Sequence, residues 1–363
     1  PYVWGDASDL QTIKLEDEDV LVTRNLMAAL STVCRPKEAV KLWVDAICIN
    51  QADLEEKKTQ IPLMGRIYQQ AKCVYGQVLP SFDKAESFRE LIVAIGTAGM
   101  ALEQDLRARD RSEEQASTEG TGQMENSAPR GSKSHIVFTK HALEDYNLPS
   151  ETSPLWQSWR AFFASPYFRR IWIQQEIGLA RKFKWFLGDT TVDHNVLFTC
   201  MEVMRRYSRQ YRAAYLHVEG ASTSSQQFVV TEDSLPSFEA PVDLDHDAAY
   251  GIVSGLLAAD RMLNERKVAE GSRTDSRPLI DLLADYRDFC ATEPRDMIFG
   301  LLGLAKDAQE FYDLVDYSTP LRTFFVSLAR RLVDLKHGAK MLLQASNTAH
   351  TEELPSWVPV SHL

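Results

Sequence analysis

The chain has 363 residues, 44% of them hydrophobic and 25% charged, with seven tryptophans to anchor packing, which excludes wholesale disorder. Forty basic against 51 acidic side chains leave a formal charge of −11, which repels phosphate backbones and anionic lipid at long range, so neither nucleic acid nor a membrane surface is an expected partner. This length accommodates two compact units, or one α/β domain with large insertions.

The first 80 residues alternate short apolar runs with helical patterns, as βαβ units do. Residues 42–49 (Leu-Trp-Val-Asp-Ala-Ile-Cys-Ile) form a near-continuous apolar run, which predicts a central parallel strand buried on both faces. Asp53 with Glu56 three residues later reads as a helix cap and its capping-box partner. Ile61, Met64, Tyr68 and Ala71 then recur at helical spacing, and Cys73-Val74-Tyr75 predicts the next strand.

Residues 105–135 lose their apolar side chains and fill with Glu, Arg, Ser, Gly and Thr, the composition of a flexible insertion. Trp156, Trp159, Phe162 and Phe163 then form an aromatic stripe of core character. Residues 170–181 predict a helix and Lys184-Trp185-Phe186-Leu187 another strand. A second polar stretch at 219–239 predicts a loop. Residues 252–263, 278–289, 294–304 and 321–335 carry helical patterns, with Pro278 and Pro294 where a first helical turn tolerates proline. The domains expected are an α/β core over 1–200, insertion included, and a mostly helical region over 201–363 packed on it.

Chemistry-bearing motifs of general type are absent: there is no Gly-rich phosphate loop, paired CxxC, HExxH or GxSxG. The eight histidines lack ligand spacing, so no metal is expected. Asp243, Asp245, His246 and Asp247 read more readily as helix-dipole and cap partners than as a cation site. The five cysteines are odd in number and widely spaced, pointing to buried free thiols and a cytoplasmic setting. No stretch reaches the roughly 20 apolar residues that span a bilayer. A chain that opens at Pro1 without methionine is expected to have lost its natural start.

Two carboxylates stand out. Asp45 lies inside the apolar run, where an unpaired charge is costly, so it is expected to be buried and hydrogen-bonded, in a pinning or a catalytic role. Glu176 shares a helix face with Trp172 and Leu179 by i, i+4, i+7 spacing, and its readings are an ion pair with Arg169 or Arg170, or function.

These residues fall within blocks that resemble a known family. Tyr2-Val3-Trp4-Gly5, Thr23-Arg24-Asn25-Leu26, the 42–51 segment ending Asn50-Gln51, the helix with Glu56-Lys57 and Ile67-Tyr68, and Pro166-Tyr167-Phe168-Arg169-Arg170-Ile171-Trp172 with Gln175-Glu176 are similar to the fungal heterokaryon incompatibility (HET) domain. Pro294-Arg295-Asp296 and Leu354-Pro355-Ser356-Trp357 also resemble segments common in such proteins. After Cys73-Val74 the chain departs from the family, which usually continues into a strand ending Trp-Leu-Gly.

HET domains in turn resemble TIR domains, which implies a flavodoxin-like parallel sheet flanked by helices. Trp172-Ile173-Gln174-Gln175-Glu176 parallels the tryptophan and glutamate of NAD-cleaving TIR enzymes. Glu176 is then the implied catalytic residue, with Trp4, Asp45, Asn50, Gln51, Asp53 and Trp172 around the substrate. NAD is the implied substrate and no cofactor is required, because the cationic nicotinamide leaves without a general acid. Three functions stay open: a cell-death effector in allorecognition that degrades NAD, a non-enzymatic module that assembles with like domains and an unknown recognition partner, and a small-molecule biosynthetic enzyme.

Overall fold

The computed structural model describes residues 2, 4–6, 8–15, 17–34, 40–78, 83–119, 146–150, 153–187, 190–207, 277–287 and 289–345. The chain divides into two compact units, one of Pro1–Asp83, Phe162–His194 and Tyr250–Leu363, the other of Lys84–Ala161 and Asn195–Ala249. The expected loop at 219–239, the helix at 252–263 and the acidic group at 243–247 lie outside the described residues.

The first unit opens with a hairpin of β1 (Leu10–Leu15) and β2 (Glu18–Thr23), paired antiparallel with Ile13 opposite Val20. Thr23 ends β2 and caps α1 (Arg24–Val33), its hydroxyl accepting the Leu26 N–H at 3.3 Å. Tyr2, Val22 and Leu26 form a small buried core between hairpin and helix.

Residues 42–49 are not a strand. Residues 40–44 run without regular pairing into α2, a single turn over Asp45–Cys48, in which Cys48 N–H donates to the Val44 carbonyl at 2.7 Å. The apolar side chains find a core another way: Val44, Ala46 and Ile47 pack against the Tyr2–Val22–Leu26 cluster, while Trp43 meets the edge of Tyr68 at 5.8 Å. A short apolar run has no period that separates a buried strand from a buried helical turn. The expected parallel strand there, and with it a sheet built around residues 42–49, is therefore corrected.

Helix α3 (Leu54–Gln70) starts at its expected cap, the Asp53 carboxylate accepting the N–H groups of Glu55 and Glu56, each at 3.0 Å, but the expected capping box is not formed, because the Asp53 N–H donates to the Asn50 carbonyl at 3.0 Å. Ile61, Met64 and Tyr68 form its buried stripe. The chain then enters β3 (Val74–Gln77). The sheet has the order β3-β4-β5, with β4 (Phe183–Leu187) parallel to β3 and antiparallel to β5 (Thr190–Asp193). Tyr2 adds one parallel bridge to Gln77. The fold is mixed α/β, with a small mixed sheet flanked by helices. Glycine at position 76 is needed here, because a Cβ would lie 2.6 Å from both the Phe183 ring and the Tyr167 hydroxyl.

Five further α-helices belong to this unit's described part: α6 (Ile173–Gly178), α8 (Leu279–Asp285), α9 (Asp296–Leu302), α10 (Leu321–Asp334) and α11 (Gly338–Ala345). The helix expected over 170–181 is thus a six-residue α6, preceded by a 3₁₀ turn at Pro166–Arg169. The C-terminal helices join the same unit as the N-terminal segments, with α9 packed on both α3 and α6.

The second unit is built on α4 (Ala85–Glu119), most of α5 (Leu155–Phe163) and most of α7 (His194–Tyr207). Phe88, Leu91, Ile92 and Ile95 on α4 are buried, as are Trp156 and Trp159. Helix α4 corrects the expected insertion at its start, since residues 105–119 are helical, while 120–135 lie outside the described residues. A helix already nucleated on a buried apolar stripe extends cheaply through Ala, Leu, Glu, Gln and Arg, and an Arg107–Glu103 pair at 3.4 Å adds i, i+4 support.

All five cysteines are free, but only Cys200 is buried, Cys73 is half-buried and Cys34, Cys48 and Cys290 are exposed. The expectation of buried thiols therefore holds at one position. Burial pushes the Cys200 thiol up to about 12. Among the described residues no helix is long and apolar enough to cross a membrane, and no group of three or more His, Cys, Asp or Glu side chains is placed to hold a metal ion.

Candidate functional site

Helices α3 and α6 each lead into one of the two parallel strands, α3 through residues 71–73 into β3 and α6 through 179–182 into β4. Because β3 and β4 run side by side in the same direction, the ends of the two helices meet at the strands' amino ends. Tyr68, in the last turn of α3, therefore reaches Glu176 on α6, 108 residues away in sequence, and its hydroxyl donates to Glu176 Oε1 at 3.1 Å.

The Glu176 side chain is only 3% exposed, and its second oxygen, Oε2, is buried without a hydrogen-bond partner. Burial raises the Glu176 carboxyl above the usual range, because the anion would lose its hydration. The Arg170 charge and the Tyr68 hydrogen bond pull the other way, and Asp45 adds to the rise. Tyr68 is itself raised by burial and by the neighbouring Glu176 and Asp45 charges. Tyr2 is raised for the same causes, burial first and then Asp45. Tyr2, Asp45, Tyr68, Arg170 and Glu176 thus form one electrostatically linked group.

Arg170 does not close an ion pair with Glu176. Its guanidinium donates instead to the Tyr2 carbonyl, tying the N-terminal segment to the approach of α6. Arg169 donates to Cys290 Sγ at 3.5 Å. In place of the Arg–Glu ion pair that the sequence offered, Glu176 accepts a hydrogen bond from Tyr68.

The remaining predicted residues are placed as follows. Asp45 is half-buried at the start of α2, its carboxylate accepting the Ala46 N–H at 2.9 Å, so the expectation of a fully buried Asp45 is corrected. Gln51 is half-buried and donates from Nε2 to the Asp45 carbonyl at 3.0 Å, which pins α2. Asn50 and Asp53 are exposed, and both spend their side-chain oxygens on nearby backbone N–H groups, Asn50 on Ala52 at 3.1 Å and Asp53 on the α3 cap. Trp4 is exposed (38%) in the turn before Gly5, whose φ of +76° suits glycine. Trp172 is half-buried at the N-cap of α6.

The structure therefore brings Asp45 toward Glu176, and spends Asn50, Gln51 and Asp53 on local backbone geometry. The loop after Ile49 does not follow a strand, and α3 and α6 meet at the amino ends of β3 and β4. Glu176 is sealed from solvent. Sequence reasoning passed over Tyr68, Tyr2 and Asp296 as site residues. Tyr68 carried only the signal of a core stripe, and Asp296 the signal of an acidic first helical turn.

A second polar cluster gathers at the start of α9. Asp296 accepts the Tyr317 hydroxyl at 2.6 Å, and Lys57 Nζ stands 4.0 Å from the centre of the Tyr317 ring. Burial raises the Asp296 carboxyl, against the Tyr317 hydrogen bond and the Lys57 charge.

Comparison with known proteins shows what the chain is similar to. The model of the heterokaryon incompatibility protein (HET) family matches residues 1–176. The chain is also similar to heterokaryon incompatibility protein 6, OR allele, of Neurospora crassa, with 26% identity over 99% of this chain and 52% of that protein. It thus spans about half the length of that curated relative. No solved structure matches the chain. Residues 1–176 of this chain are therefore similar to the heterokaryon incompatibility family.

Proposed function

We propose that the chain acts in fungal heterokaryon incompatibility, as the module that converts recognition of a non-self partner into cell death. The family match and the relative named for heterokaryon incompatibility support this reading. Glu176 is its chemical centre. One observation carries that assignment: a carboxylate with one oxygen held by Tyr68 and the other buried and bare, beside Asp45 and Arg170. Orphaned buried acceptors are rare in folded proteins and concentrate where a ligand or a reaction completes them.

The finer reading is cleavage of NAD at the bond between nicotinamide and ribose. A ribose hydroxyl donating to Oε2 would complete the carboxylate, and the anion would then stabilise the positive charge that develops on the sugar as nicotinamide leaves. Access and charge are both needed, so this chemistry requires a conformation in which Glu176 opens to substrate and ionises.

Burial also favours a second reading, in which the Tyr68–Glu176 pair is a structural hub of a non-enzymatic assembly module. Expression in fungal cells separates the two. A Glu176→Gln chain that is folded, present at wild-type level and no longer kills supports the chemical centre. If this variant kills as wild type does, Glu176 has no chemical role and the assembly module remains.

A further inference from the structure

Three consecutive side chains of α6, Gln174, Gln175 and Glu176, are buried, none more than 3% exposed, and each keeps a polar atom without a hydrogen-bond partner among the described residues. Gln174 leaves both amide atoms bare, Gln175 its Nε2 donor and Glu176 its Oε2 acceptor. Buried polar groups are nearly always paired, so such a run points to something that completes it. The proposed function engages only Glu176.

Gln175 and Glu176 meet the same face of α3. Glu176 Oε1 accepts from Tyr68 at 3.1 Å, and Gln175 Oε1 lies against Gly65, 3.8 Å from where a Cβ would stand. Gly65 and Tyr68 are three residues apart, so they are neighbours on the helix surface, about 4.5 Å apart along its axis. Gly303, at the end of α9, closes the other side: a Cβ there would stand 2.3 Å from Gln175 Oε1, and a Cβ on Gly65 would stand 3.0 Å from the Gly303 Cα. The amide is therefore held where two backbones leave room for it, with its oxygen packed and its N–H groups unused.

A bare donor on one residue and a bare carboxyl oxygen on the next call for a ligand group that both accepts and donates. A phosphate or carboxylate would set acceptor against acceptor at Glu176, and an ammonium has nothing for the Gln175 amide to donate to. Hydroxyls do both, and their hydrogens rotate to suit. We propose that Gln175 is a binding residue beside Glu176, its Nε2 donating to one of two neighbouring hydroxyls of a sugar while Glu176 Oε2 accepts from the other. This rests on the reading of Glu176 as the chemical centre, and it names what that centre recognises: a pentose with both hydroxyls in place.

Calorimetric binding to the full 363-residue chain tests this with three probes: ADP-ribose and its two analogues lacking either the 2- or the 3-hydroxyl of the terminal ribose. Wild type should bind each analogue about tenfold more weakly than ADP-ribose, the effect of one lost hydrogen bond. Gln175→Met keeps an unbranched side chain of similar length and removes the donor. It should bind ADP-ribose about tenfold more weakly, and one of the two hydroxyls should cease to matter, because its partner is gone. A Gln175→Met chain that keeps both preferences overturns the proposal. So does a wild-type chain that binds all three probes alike or none of them, a result that stands even if Gln175→Met does not fold. No NAD is cleaved in these titrations. A chain that releases no nicotinamide from NAD yet distinguishes the hydroxyls through Gln175 keeps this inference and loses the catalytic one, while a chain that cleaves NAD with an unchanged KM in Gln175→Met does the reverse.

Discussion

Replacing Glu176 with Gln probes the buried carboxyl through stability, before any activity is asked for. The side chain is 3% exposed, with Oε1 accepting from Tyr68 at 3.1 Å and Oε2 bare. Gln can keep the Tyr68 bond with its own oxygen, but it places an amide NH2 where no acceptor waits. An unsatisfied buried donor costs about 1–3 kcal/mol. Against that stands the penalty of ionising a buried carboxyl, about 1.4 kcal/mol for each pKa unit by which burial raises the group.

The sign follows from the direction of the shift. A carboxyl raised in the folded state binds its proton more tightly there than in the unfolded chain, so its contribution is fully present below the ordinary carboxylate range and is lost as pH rises through the raised folded value. Urea unfolding of both chains from pH 5 to 9 should show wild type losing stability relative to Glu176→Gln as pH rises, with the Gln chain the less stable at the acid end. Curves that stay parallel across this range, or a wild type that gains on the Gln chain with rising pH, would refute the argument that Glu176 is held in a site hostile to its charge.

Three further substitutions test the surrounding geometry. Tyr68→Phe leaves both Glu176 oxygens bare, at a cost of about 1–3 kcal/mol; because the Tyr68 bond lowers the Glu176 value, the pH window of stability loss should extend upward, which the same urea series reads. Gly303→Ala puts a methyl group 2.3 Å from Gln175 Oε1 and 3.1 Å from the Gly65 Cα, and should destabilise by about 1–3 kcal/mol through overpacking, seen as a lower Tm. Asp53→Ala removes the acceptor for two N–H groups at the start of α3 and should cost about 0.5–2 kcal/mol, whereas Asp53→Asn should recover most of it in thermal melts.

How much of this was legible in the sequence depended on the range of the interaction. The α3 cap, the Ile61–Met64–Tyr68 stripe, β3, β4 and α10 are local patterns, and each formed where its own residues indicated. Residues 42–49 failed because a hydrophobic run says that a segment is covered, not by what. Trp43 against Tyr68, and Val44, Ala46 and Ile47 against the hairpin cluster, satisfy that demand without any strand partner. The hairpin left a weak signal in the apolar alternation of Ile13, Val20 and Val22, which face one small core. At the site, Glu176 was legible as a carboxylate on an apolar helix face. Its partner Tyr68 was not, since nothing local pairs two residues 108 apart, and only the parallel register of β3 with β4 brings their helices together. Asp296 lay further out of reach, on α9, which meets α6 only by packing in the folded chain.

Nicotinamide release from NAD by the purified chain, first dilute and then concentrated, tests the central claim about Glu176 most directly. The account predicts release by the wild-type chain and a loss on the order of 100-fold or more in Glu176→Gln, as expected when one electrostatic contribution to a transition state is removed. Release that persists at the wild-type rate in a folded Glu176→Gln chain, or a wild-type chain that kills cells while releasing no nicotinamide at any concentration, would contradict it.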